Sequence, residues 1–332
     1  MDLTRRAVLG GAAGMLALAC GGRGARAGDG LPVLRVGTLE NGTVNWELTV
    51  IRDRGLDRQN GFSLQPLALA GNPAIQVALL GGEVDAIVTD WLWAARQRAD
   101  GTPMSFLPYS TAVGGLMVPA DSPARTVSDL RGRRIGIAGG PLDKSWLILR
   151  AWSRRETGED LAAITTQVYG APPMILNAAR TGEVDAAINF WHFQARMAAE
   201  GMRELVSVAT AAAGLGLDPA TPLLGYVLRD DWIAAHPGVA RGLARASRSA
   251  KQVLARDDTA WQALRPLMQA EDPRLFQALK EGWRAGIPPF GPVDPASAQR
   301  MFETMAELGG DELTGGLRRL PEGLFPDPER LP

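Results

Sequence analysis

The chain repeats itself at a spacing of one hundred residues. Ile75–Gly101 and Ile175–Gly201 align without a gap and are identical at 12 of 27 positions, including Gly82-Glu83-Val84-Asp85-Ala86 and its partner Gly182-Glu183-Val184-Asp185-Ala186. Trp91 matches Trp191, Arg96 matches Arg196, Pro73 matches Pro173, and farther upstream Trp46 matches Trp146. Two copies are too few for a solenoid, so the repeat marks two related domains.

Each copy spells the same local structure. A short apolar strand (Val33–Thr38; Arg134–Ala138) enters a Gly-containing loop, and a helix follows near Trp46 or Trp146. Next come a second strand (Ser63–Ala68; Thr165–Tyr169) and a helix with apolar positions at helical spacing, ended by Gly82 or Gly182. A buried strand (Val84–Val88; Val184–Ile188) and a new helix near Trp91 or Trp191 complete the unit. Alternating strands and helices predict an α/β fold with a parallel sheet in each domain. Ligands bind such sheets outside the carboxyl ends of the strands, so the matched loops predict a cleft between two facing domains.

The first 27 residues read as an export signal. Thr4-Arg5-Arg6-Ala7-Val8-Leu9 looks like a twin-arginine motif, a short Gly- and Ala-rich apolar run follows, and Ala25-Arg26-Ala27 supplies the small residues of a cleavage site. The single Cys, Cys20, falls inside this leader; lipidation at Cys20 is the lesser alternative to cleavage after Ala27. The mature chain has no cysteine, which excludes a disulfide framework. It keeps 31 basic and 35 acidic residues, a formal charge of −4 that argues against nucleic acid or an anionic membrane as partner. Only two His are present, His192 and His236, and no metal or cofactor is expected.

Several stretches in order resemble the periplasmic substrate-binding components of ABC importers, in the nitrate/sulfonate/taurine group. They are the leader, Gly71-Asn72-Pro73, the two Gly-Glu-Val-Asp-Ala blocks, Ser122–Ile137 and Asn189-Phe190-Trp191-His192-Phe193, where His192 stands at a position commonly proline. The resemblance implies a two-lobed, type II-like periplasmic-binding-protein fold: lobe 1 from residues 28–118 plus 226–332 and lobe 2 from 119–225. Crossings are expected near Met117–Asp129 and Leu215–Arg229, where Pro119, Pro123, Pro219 and Pro222 interrupt the pattern. A helical stretch is expected over Asp231–Asp257, and the Pro-rich tail from Pro321 is expected to lie over the surface. The implied function is capture of a small molecule in the periplasm by a monomer and its delivery to an inner-membrane permease, with the lobes closing by a hinge.

Candidate ligand residues sit on the matched loops. Glu40, Asn41 and Asn45 follow the first strand; Asp143, Lys144 and Ser145 are their counterparts. Exposed N–H groups at the helix starts favour an anionic group there, and capping by Asn45, Asp143 or Ser145 is the structural alternative. Lys144 opposes the helix dipole, which leaves it free either to meet an anion or to be solvated. Asn72 lies in the turn already quoted. Asp90 and Asn189 follow the third strands. The matched pairs Trp46/Trp146 and Trp91/Trp191 are read both as helix–sheet packing and as stacking surfaces, whereas Trp93, matched only by Phe193, is read as a ligand contact. Tyr109 and Tyr169 are hydroxyl donors or core residues. Trp152, Trp232, Trp261 and Trp283 are read as structural.

Acidic, basic and aromatic groups around one cleft suit a zwitterion or organic anion such as an aminosulfonate. A flat heterocycle or amine is the runner-up. An enzyme on the same fold, of the thiamine-pyrimidine synthase type, is the rival class. Neither a Gly-x-Ser-x-Gly elbow nor a Walker loop is present, and His192 is the lone histidine candidate. An exported sensor or accessory protein is the third reading.

Overall fold

The computed structural model describes residues Gly30–Leu331. The predicted leader, its cleavage site and Cys20 lie outside the described residues.

The chain first lays down β1 (Val33–Leu39), α1 (Val44–Asp53), α2 (Leu56–Gln59), β2 (Ser63–Leu69), α3 (Asn72–Leu80), β3 (Ala86–Asp90), α4 (Trp91–Ala99) and β4 (Met104–Ser110). It then builds β5 (Gly115–Val118), β6 (Arg134–Ala138), α5 (Lys144–Thr157), α6 (Leu161–Ile164), β7 (Thr166–Gly170), α7 (Pro172–Arg180), β8 (Ala186–Ile188), α8 (Trp191–Ala199), β9 (Arg203–Ser207) and α9 (Val208–Gly214). It returns through β10 (Leu224–Arg229) to α10 (Asp230–Ala235), α11 (Pro237–Arg256), α12 (Asp258–Met268), α13 (Pro273–Ala285) and α14 (Pro295–Thr314).

Two five-stranded sheets result, ordered β2-β1-β3-β10-β4 and β7-β6-β8-β5-β9. Each is mixed rather than parallel. β10 runs antiparallel to β3 and β4, and β5 runs antiparallel to β8 and β9. The strand that carries the chain across arrives from the opposite direction, so it can only pair in reverse. Because β5 already belongs to the second sheet, the first crossing is residues 111–114, a strand earlier than expected. The second crossing, residues 215–223, falls inside its expected stretch.

The repeated Gly-Glu-Val-Asp-Ala block is a structural tie. Asp85 accepts the Arg35 backbone N–H at 2.8 Å and the Arg35 guanidinium at 2.5 and 3.0 Å, while its own N–H donates to the Arg35 carbonyl. Asp185 accepts the Arg134 backbone N–H at 2.8 Å in the same way. Each aspartate thereby fixes the register of the first strand against the third. Gly82 and Gly182 both adopt φ +73°, a left-handed conformation that turns the helix into this strand without a Cβ clash.

The repeated arginines hold the C-terminal helices. Arg96 donates to the Leu313 carbonyl and Arg196 to the Met268 carbonyl, each at 3.1 Å. α14 contributes Met301 and Phe302 to a core that also contains Trp91 and Ile87 of the first lobe and Trp146 and Ile137 of the second. On the other flank, α13 packs against α8. Beneath α1, Lys251 Nζ meets Glu47 Oε2 at 2.5 Å, and Tyr226 and Ser247 donate to Glu47 Oε1 at 2.8 and 2.7 Å, all in the interior. Fully hydrogen-bonded burial of this kind is tolerated where an unpaired charge is not.

Two further expectations are corrected. The helix over Asp231–Asp257 is broken at His236, because Pro237 restricts the residue before it and starts a new helix. The C-terminal tail does more than cover a surface: Leu324 and Leu331 are buried, and the Phe325 ring lies 6.2 Å from Trp91 and 5.7 Å from Phe106.

The two ties differ in burial. Asp85 is 4% exposed and holds a guanidinium at 2.5 Å, whereas Asp185 is 36% exposed with its nearest guanidinium at 3.6 Å. Asp85→Ala is therefore expected to lower unfolding free energy by about 1–3 kcal/mol. Asp185→Ala is expected to cost less, as urea denaturation of the two variants would measure.

Candidate functional site

Between the lobes lies a cleft of about 400 Å³, floored by the carboxyl ends of β1, β3 and β6 and walled by the starts of α1, α3, α5 and α8. Seven of the sequence candidates line it: Asn72, Asp90, Tyr109, Asp143, Lys144, Ser145 and Trp191.

The others are placed elsewhere. Glu40 is exposed on its loop, and Asn41 Oδ1 accepts from Gln269 at 3.3 Å. Asn45 is spent holding its own loop, donating to the Leu39 and Glu40 carbonyls at 2.8 and 3.1 Å. Trp46, Trp91, Trp93 and Trp146 are buried in the lobes' cores. Trp91 Nε1 donates to the Pro222 carbonyl at 3.1 Å, and the Trp46 ring meets the edges of Trp191 and Trp261 at 5.9 and 6.1 Å. The reading of Trp93 as a ligand contact is thus corrected: α4 turns that face inward. Asn189 is buried, with its amide on the Pro172 carbonyl and its oxygen on the Phe190 N–H. Tyr169 is exposed outside the cleft wall.

The cleft also brings in residues not chosen from sequence as ligand contacts: Thr38, Thr43, Thr89, Phe190 and His192. A signal for two of them was present. Positions 43/143 and 90/190 are one hundred apart, and in each pair one copy has a carboxylate while the other does not.

That alternation gives the cleft two unlike poles. Asp90 caps α4 by accepting from Trp93 N–H, and Asp143 caps α5 by accepting from Trp146 N–H, each at 3.0 Å. Lys144 Nζ reaches Asp90 Oδ2 at 3.0 Å, joining the second lobe to the first across the cleft. At the diagonal positions Thr43 and Phe190, α1 and α8 start without a side-chain cap. No side chain accepts from their first N–H groups, although Glu47 stands in the first turn of α1. One pole thus holds two carboxylates and one ammonium. The other holds two uncapped helix ends beside Trp191, Tyr109 and His192.

Titration follows the same division. Burial pushes the Asp143 carboxyl up to about 6, against the opposing N–H groups of Trp146 and Ser145 and the charge of Lys144. Burial, with help from the Arg196 charge, holds His192 down at about 4, so its imidazole is neutral at pH 7. Burial and the Glu47 charge raise the Tyr109 hydroxyl, which stays protonated. Among the described residues no cluster of His, Cys, Asp or Glu is arranged to hold a metal, and no helix is long and apolar enough to cross a membrane.

Two linked α/β lobes around a ligand-sized cleft are the fold of the solved structures that this chain resembles. A family model described as NMT1/THI5 like matches residues 52–260, and the chain belongs to that family. No curated protein matches its sequence. Among solved structures, it is similar to the periplasmic aliphatic sulphonate binding protein SsuA from Escherichia coli, at 18% identity and a TM-score of 0.69, covering 89% of this chain and 97% of that one. The alkanesulfonate-binding protein SsuA from Xanthomonas axonopodis pv. citri bound to MOPS matches at 20% identity and a TM-score of 0.65, over 87% and 96%. The periplasmic nitrate-binding protein NrtA from Synechocystis PCC 6803 matches at 13% identity and a TM-score of 0.54, over 76% and 69%.

Since Asp143 gains charge as pH rises through about 6, a ligand carrying an ammonium group is expected to bind more tightly at pH 7 than at about pH 5. Calorimetric titration of one amine-bearing ligand across that window checks this, and Asp143→Asn is expected to flatten the dependence.

Proposed function

We propose that this protein is an exported solute-binding component of an ABC importer, capturing a small organic anion or zwitterion of the sulfonate class and presenting it to an inner-membrane permease. The observation that carries this reading is the diagonal pattern of helix caps. α4 and α5 are satisfied by Asp90 and Asp143; α3 in the first lobe is uncapped too, and the uncapped starts of α1 and α8 face the same cleft from opposite lobes. An anionic head group answers those two helix ends at once. A ligand ammonium suits the opposite pole, where two carboxylates face one lysine. The family, the fold shared with sulfonate- and nitrate-binding proteins, and the leader read from the sequence support periplasmic residence and a permease partner. In this reading the protein binds and releases its ligand unchanged.

Ligand contacts made from both lobes favour the closed arrangement over an open one, and the permease then reads the closed shape. Isothermal titration with alkanesulfonates, aminosulfonates, nitrate and flat cationic heterocycles is expected to give saturable binding, roughly micromolar, for the sulfonates. The radius of gyration in solution scattering is expected to fall at saturation. Binding of the cationic heterocycles alone would overturn the anion assignment, and turnover of a bound ligand would favour an enzyme on the same fold.

A further inference from the structure

Two polar atoms in the cleft wall are buried without a hydrogen-bond partner, and they belong to opposite lobes. One is the hydroxyl of Tyr109, at the end of β4; the other is Nδ1 of His192, in the first turn of α8. Tyr109 is only 4% exposed, and both residues line the same cleft. Thr43 and Trp283 lie near the Tyr109 hydroxyl, but neither meets hydrogen-bond geometry. A buried polar atom left unpaired is costly, and native structures pair nearly all of them. Both residues stand on the wall of one cavity, and a ligand entering it is a partner within reach of both.

The surroundings say what that partner is. The uncapped starts of α1 and α8 flank these two side chains, so the nearby backbone presents donors. Lys144 is the one Lys or Arg lining the cleft among the described residues, and Asp90 takes it at 3.0 Å. A group seated by Tyr109 and His192 therefore meets neutral donors and helix dipoles, while Lys251, 4.5 Å from the Tyr109 ring, and Arg196 stay behind the cleft wall. Protonated Tyr109 donates one hydrogen bond, and a neutral imidazole protonated at Nδ1 donates another.

We propose that Tyr109 and His192 are the specificity-determining contacts of the cleft, donating from opposite lobes to the oxygens of the ligand's anionic head group, which is thereby held without a salt bridge. This rests on the sulfonate-capture reading above and adds the residues that enforce it. A head group with several acceptor oxygens engages both donors and both helix ends together. It also connects the lobes, since neither lobe alone supplies the full set of contacts.

The test uses the full chain and ethanesulfonate, a probe with one anionic group and no other polar atom. Tyr109→Phe and His192→Leu are each expected to weaken its binding about tenfold or more, as for loss of a hydrogen bond to a charged group. Tyr109→Phe is expected to leave the ligand-free Tm unchanged or higher, because it removes an unpaired buried hydroxyl. A clear fall in that Tm would show the hydroxyl to be satisfied within the protein and would overturn the proposal. Imidazole ¹⁵N spectra of the wild type provide a readout that needs no substitution. His192 signals are expected to move on saturation, while those of His236, stacked on Trp232 beside a separate cavity, stay in place. If ethanesulfonate binds but both variants match the wild type and His192 is silent, the proposal fails and sulfonate capture stands. If neither ethanesulfonate nor any other sulfonate binds the wild type, sulfonate capture fails and this assignment fails with it.

Discussion

The cleft exists because the C-terminal helices are fastened to both lobes. Arg96 and Arg196, one from each copy of the repeat, donate to carbonyls of that segment, at Leu313 and Met268. Met301 and Phe302 then join Trp91 and Trp146 in one continuous hydrophobic core. Burial of these large side chains is the dominant stabilising term, and the arginine hydrogen bonds set where it is applied. Without that brace the lobes are joined by residues 111–114 and 215–223, by the Lys144–Asp90 pair and by the Trp46–Trp191 edge contact. The 3.0 Å approach of Lys144 to Asp90 across the cleft belongs to the arrangement that these flanks support.

Reading the repeat from sequence was enough to place the first three strands of each sheet and the helices that follow them. Strand and helix positions follow from alternating polarity and helical spacing, which are local properties. The direction of β5 and β10 was not local: it depends on which way the chain re-enters each sheet, so a parallel sheet was expected and a mixed one is found. The aromatic residues show the same limit. Trp46, Trp91, Trp93 and Trp146 sit beside the loops in sequence, yet helix phase turns each of them into a core. Trp191 differs because α8 begins at the cleft edge without a cap. Asp90, Asp143 and Lys144 were legible as candidates, but their pairing across the lobes was not, because it joins residues more than fifty positions apart.

The repeat is also informative where its copies differ. Shared residues such as Asp85/Asp185 and Arg96/Arg196 perform the same structural task in each lobe. The positions facing the ligand space have diverged in a crossed manner, Thr43 against Asp143 and Asp90 against Phe190. Two similar halves thus enclose an electrostatically asymmetric space. A ligand with unlike ends has one preferred orientation in it.

β10 lies between β3 and β4, and β10 is the only hydrogen-bonded neighbour of β4 in its sheet. Until residues 224–229 have been made, the first sheet is a three-stranded fragment with β4 unattached. The second sheet has no such dependence, since β5 through β9 are contiguous along the chain. The half encoded second is therefore the half that can reach its native pairing first. The half encoded first must wait for its own ending.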